Sequence, residues 1–91
     1  MNIPPIAGIE EALKIYYNNS ELGNREIVAL FGKLGSATVV KLKKKVKKEM
    51  ETRNILSFGR SKVNTAVAFE VWGIDALDLE RRMEKIKELN L

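Results

Sequence analysis

The stretch "SATVVKLKKKVKKEM", residues 36–50, constrains the fold more than any other part of the chain. Its aliphatic side chains Val39, Leu42, Val46 and Met50 recur at spacings of three, four and four. That is the helical period, so the segment predicts an amphipathic helix with one apolar stripe. Ser36 stands where an N-cap is expected, and the helix is predicted to run to about Arg53. Six lysines (Lys41, Lys43, Lys44, Lys45, Lys47 and Lys48) share the remaining circumference, and no acidic residue falls between Ser36 and Lys48. Exposed helices usually interleave glutamate with lysine at i, i+4 for mutual support. Here that support is missing.

The flanking segments also read as helices. "IPPIAGIEEALKIYYNN" places Ile6, Ile9, Leu13 and Tyr16 at helical spacing after Pro4 and Pro5, and Asn18, Asn19 and Ser20 break the pattern. "NREIVALFG" predicts a short second helix, with Asn24 as cap, Glu26 in the first turn and Gly32 at the left-handed end. "NILSFGRSK" is loop-like. Residues 63–72 carry two patterns. Val63, Thr65, Val67, Phe69 and Val71 alternate as in a strand, which would make a β wing, but Gly73, Ile74 and Asp75 end the segment as a helix ends. The helical reading is favoured. A last helix over 76–89 turns Leu79, Met83 and Ile86 to one side, and Trp72, Tyr16 and Tyr17 are expected in the core. The expected fold is all-α: one compact domain of about five helices in 91 residues.

Composition removes several classes of function. The chain has no cysteine and no histidine, which excludes disulfides and Cys-based zinc sites and removes the commonest general base. No motif supports catalysis by carboxylate pairs or lysine, so no catalytic residue, metal site or cofactor is expected, and the chain is not read as an enzyme. No apolar run is long enough to span a membrane, and "MNIPPIAGIEE" lacks the pattern of a signal peptide. A cytoplasmic, nucleoid-associated location is the expectation. The net charge of +4 is unevenly spread. Residues 1–35 hold three basic and four acidic side chains, residues 36–62 nine and two, and residues 63–91 four and six. All the excess charge sits on the lysine helix and its loop, the electrostatic footprint expected for a polyanion partner.

A short helix, a tight glycine turn and a longer helix form a helix-turn-helix pattern over about 24–53, with a helical extension over about 64–91. "REIVALFGKLGSATVVKLKK" resembles the DNA-reading segment of small bacterial and phage helix-turn-helix proteins. Ala29, Leu34, Ser36-Ala37-Thr38, Val39 and Leu42 carry the likeness. Gly32 lies three residues after Ala29 where the family usually has four, which leaves two registers for the outward face one residue apart. The tail "VNTAVAFEVWGIDALDLERR" has the look of phage DNA-packaging or mobile-element proteins.

This resemblance implies duplex DNA as partner, bound in transcription regulation or in the processing of phage or mobile-element DNA. The third helix would lie in the major groove. Ala37, Thr38, Val40, Lys41 and Lys44 would approach base edges, and Lys33, Ser36, Lys43, Lys45, Lys47, Lys48, Arg53 and Arg60 would contact phosphates. Leu79, Met83 and Ile86 would pair two copies in a homodimer, if they do not simply close the monomer's core. A membrane-surface helix would need larger apolar residues than Val39, Leu42, Val46 and Met50. Single-stranded RNA would need more exposed aromatics than Phe58. The alternative to DNA is a helical protein-interaction module that uses the last helix.

Overall fold

The computed structural model describes residues 2–90. They form five helices and one two-stranded antiparallel sheet: α1 (Ile9–Asn18), β1 (Glu21–Leu22), α2 (Asn24–Phe31), α3 (Ser36–Thr52), β2 (Val63–Asn64), α4 (Thr65–Val71) and α5 (Ala76–Leu89). The mostly helical expectation holds. The sheet is an addition: Glu21 pairs with Asn64 and Leu22 with Val63, so it closes the chain at the two ends of the α2–α3 unit.

Two expected caps fall one residue early. Helical hydrogen bonding in α3 begins at the Gly35 carbonyl, which accepts from Thr38 and Val39 at 3.1 and 3.2 Å. Extended Gly35 is therefore the N-cap, and Ser36 is already helical and makes no capping bond. At α2 the cap is Gly23, whose N–H donates to the Glu26 carboxylate at 2.8 Å. Asn24 is thereby free to accept from Lys43 Nζ at 3.0 Å.

The helix ends follow the glycine signals. Gly32 ends α2 at φ 89°, ψ −146°, a backbone region open in practice only to glycine. Gly73 (φ 72°) ends α4 with its N–H bonded to Glu70 O, while Ile74 N–H reaches Phe69 O at 2.8 Å. This is the paired-bond helix end expected of glycine followed by an apolar residue. Asn54 (φ 57°) does the same for α3, with Ile55 N–H bonded to Met50 O at 2.9 Å.

The two patterns in residues 63–72 divide at Asn64. Val63 and Asn64 are strand, and the Asn64 side chain accepts from Val67 N–H at 3.0 Å and so caps the helix that follows at once. One hydrophobic cluster draws on all five helices and the sheet, with Leu22, Ile27, Leu30, Leu42, Val46, Val63 and Phe69 fully enclosed. Thr65 is also buried, and its hydroxyl has no hydrogen-bond partner among the described residues. Trp72 lies in the core edge-on to Phe31, and Tyr16 packs on Phe69. Tyr17 corrects the expectation of a core residue. It is 59% exposed, because successive helix positions differ by 100° and Tyr16 takes the inward one. Its hydroxyl instead donates to Glu80 on α5.

Candidate functional site

The lysine helix is held from one side. Val39, Leu42, Val46 and Met50 are at most 5% exposed, and burial of side chains of this size contributes roughly 1.5–3 kcal/mol each. The Trp72 indole N–H donates to the Leu42 carbonyl at 3.2 Å and so ties α4 to the middle of α3. Opposite this stripe, Ala37, Lys41, Lys44 and Lys48 are exposed and repeat at four, three and four along the helix. Val40 and Lys47 flank the row on the side of Asn24, and Lys45 flanks it on the other.

Lys41, Lys44, Lys45, Lys47 and Lys48 form no ion pair among the described residues. Neither do Lys33 in the α2–α3 turn and Arg60 in the loop after α3, both exposed. Of the proposed base-reading residues, Ala37, Val40, Lys41 and Lys44 are exposed and Thr38 is half-buried. Ser36 is exposed at the start of the helix.

Two of the cations assigned to phosphates stand differently. Lys43 is only 9% exposed, because its stem lies against the N-terminal end of α2 with Nζ on Asn24 Oδ1. Burial, and then the nearby charge of Lys47, push its ammonium below the ordinary lysine pKa. A phosphate contact by Lys43 would need this arrangement undone. The assignment is corrected to a buried lysine that joins α3 to α2. Arg53 is exposed, but its charge is matched: it donates to Glu70 at 2.7 Å and to Glu49 at 2.9 Å, and both pairs hold its pKa above the ordinary value. It fastens the end of α3 to α4.

On α5, Leu79 is 7% exposed and belongs to the core, Met83 is half-buried, and Ile86 is 44% exposed. Leu79 is thus withdrawn from any pairing surface, since α5 lies along α1 and its first turns cover the core.

The sequence reading missed Glu21. Its carboxylate accepts from Phe58 N–H at 2.8 Å and Gly59 N–H at 2.7 Å, and Ser57 Oγ lies 3.0 Å away. These bonds, the Phe58 amide first, hold Glu21 below the ordinary carboxylate range despite some opposing desolvation. No local signal marks it, because its partners are 36 to 38 residues further along the chain.

Among the described residues no helix is long and apolar enough to cross a membrane, and no three carboxylates gather as a metal site would require. No family model, curated protein or solved structure matches the chain.

Proposed function

We propose that this protein binds duplex DNA sequence-specifically, with α2 and α3 as a helix-turn-helix and α3 in the major groove. The observation that carries this reading is the outward row Ala37, Lys41, Lys44 and Lys48 with Lys45 and Lys47 beside it, a cationic face without acidic partners on a firmly buried helix. Lysines at these positions can donate to guanine O6 and N7, while Ala37, Thr38 and Val40 in the first turns suit close approach to base edges. Lys33, Ser36, Lys45, Lys47, Lys48 and Arg60 take the phosphates, which fix register without reading sequence. The biological setting is control of transcription, or excision, packaging or replication of phage or mobile-element DNA. Both are cytoplasmic, nucleoid-associated roles.

A helix-turn-helix of this size reads few base pairs, so two copies on adjacent half-sites would raise affinity and specificity. Met83 and Ile86 supply the accessible apolar part of the pairing surface, and Glu84 and Glu88 of one copy would face Lys85 of the other, while Arg82 is held by Asp78 and Glu80 by Tyr17 within each copy.

The test is selection of bound sequences from a random duplex pool. Thr38→Ala or Lys41→Ala should change the preferred sequence, whereas Lys47→Ala should weaken all sequences alike. Absence of binding at low salt refutes the reading. A protein that self-associates through α5 but ignores DNA would instead be an interaction module.

A further inference from the structure

The loop between α3 and β2 presents apolar side chains outward and is nevertheless firmly fastened. Phe58 is 97% exposed and Leu56 82% exposed. Yet the Phe58 and Gly59 amides are both fixed on the Glu21 carboxylate, at 2.8 and 2.7 Å. Ser57 Oγ lies within 3.0 Å of that carboxylate and of the Gly59 and Lys62 carbonyls, so its single proton serves one of three acceptors, two in the loop and one on β1. Ser61 sits in the left-handed region at φ 59° and turns the chain back into β2. The backbone at Phe58 is thus positioned with the ring in solvent.

Its place in the fold gives the ring a neighbourhood. The Lys62 stem lies against Gly23, the residue before α2, and a Cβ on Gly23 would meet Lys62 Cε at 3.6 Å. The next residue, Asn24, receives the hydrogen bond from Lys43 and lines one groove with Val40, Lys44 and Lys47. The Lys62 end of the loop therefore lies on the Lys47 side of α3 with its stem also close to Gly59, and exposed Arg60 follows Phe58 by two residues. A fixed aromatic beside cations has the form of a wedge that enters between base pairs while the cations hold the backbone. Two apolar side chains are few for a membrane anchor.

We propose that this loop is a second DNA contact: Phe58 enters the minor groove next to the major-groove site of α3, unstacks one base step and kinks the duplex. Arg60 and Lys62 neutralise the phosphates on either side. The inference rests on the DNA-binding reading and adds a deformation of the DNA that α3 alone would not produce.

The experiment uses the full chain and a duplex of about 30 base pairs, selected by the protein from a random pool and carrying a fluorophore at each end. Wild-type protein should shorten the end-to-end distance read by energy transfer. Phe58→Ala should abolish the shortening and weaken binding about tenfold or more, with the salt dependence kept. Phe58→Trp should restore the bend. A ring this exposed contributes little to folding, so circular dichroism of the variants should match wild type. If Phe58→Ala binds and bends DNA as wild type does, the wedge is refuted while the DNA reading stands. If wild-type protein binds no duplex at all, the DNA reading falls and takes the wedge with it. If wild-type protein, but not Phe58→Ala, is retained by phosphatidylserine vesicles and the bend is unchanged, the loop is a membrane contact and the proposal is overturned.

Discussion

For the DNA binding proposed above, the salt dependence follows from counting free cations, and the structure changes the count. Seven cationic side chains were candidates for phosphates: Lys33, Lys43, Lys45, Lys47, Lys48, Arg53 and Arg60. Lys43 is buried on Asn24, and Arg53 is neutralised by Glu49 and Glu70. Five remain. At about −0.9 per phosphate neutralised, log affinity should fall against log salt with a slope of about −4.5, where seven would give about −6.3. Between 50 and 200 mM salt the smaller slope corresponds to roughly a 500-fold loss of affinity. The perturbation is a matched pair. Lys48→Met should reduce the slope by about 0.9 in magnitude, whereas Lys43→Met should leave it almost unchanged, since the Met keeps the packing and removes a charge that touches no phosphate. Fluorescence anisotropy of a labelled duplex titrated over that salt range measures both. A slope shallower than about −2, or equal reductions by Lys43→Met and Lys48→Met, would refute the reasoning.

Further expectations follow from single residues. Thr65→Val removes a buried hydroxyl that has no partner among the described residues, so urea denaturation should show about 1 kcal/mol more stability; a loss would mean that the hydroxyl is bonded. Gly73→Ala adds a Cβ that meets nothing within 4 Å among the described residues but sits at φ 72°, and should cost about 1 kcal/mol. Gly32→Ala, at φ 89° and ψ −146°, should cost more, about 2 kcal/mol, and the reverse order would contradict the conformational argument. Glu21 has a depressed pKa in the folded state. Its contribution is therefore complete above the unfolded value, about 4.3, and disappears as pH falls through the lower folded value. Stability measured down through that acid range should fall less steeply in Glu21→Gln than in wild type. If the proposed dimer forms through α5, Ile86→Glu should weaken it in sedimentation without unfolding the monomer, because Ile86 is 44% exposed, and an unchanged association state would remove α5 from the pairing surface.

What the sequence made legible was local. The spacing of Val39, Leu42, Val46 and Met50 foretold both the helix and its buried side, because a helix repeats its faces every few residues. Gly73 and Ile74 foretold the end of α4 because the helix end they make is completed within six residues. What escaped depended on tertiary contacts. Asn24 looked like a cap, but Gly23 took that position with its N–H bonded to Glu26, and Asn24 turned to a lysine 19 residues away. Lys43 looked like its five neighbours in a row of lysines, and only the placement of α2 sets it apart. The two-residue strands are too short to leave a period, and the Glu21 contacts with the loop span most of the α2–α3 unit. For the candidate surface, the positions Ala37, Lys41 and Lys44 could be read from the periodicity. The withdrawal of Lys43 and Arg53 could not.

The same contacts explain how a row of unrelieved lysines can form a helix at all. Like charges at i, i+3 and i+4 destabilise an isolated helix by a few tenths of a kcal/mol per pair, and α3 has several such pairs between Lys41 and Lys48. That sum is small beside four buried aliphatic side chains, which contribute roughly 6–12 kcal/mol between them. The helix is therefore set by its inward face and by the Trp72 bond to Leu42, and its outward face is free of any folding role. A face released from folding would most cheaply be relieved by glutamates at i, i+4, and α3 has none between Ser36 and Lys48. The two acids that follow, Glu49 and Glu51, come after the row, and Glu49 pairs with Arg53 instead of with a lysine. The repulsion is thus confined to the outward face of α3, and a polyanion laid against it would remove the repulsion and release counterions together.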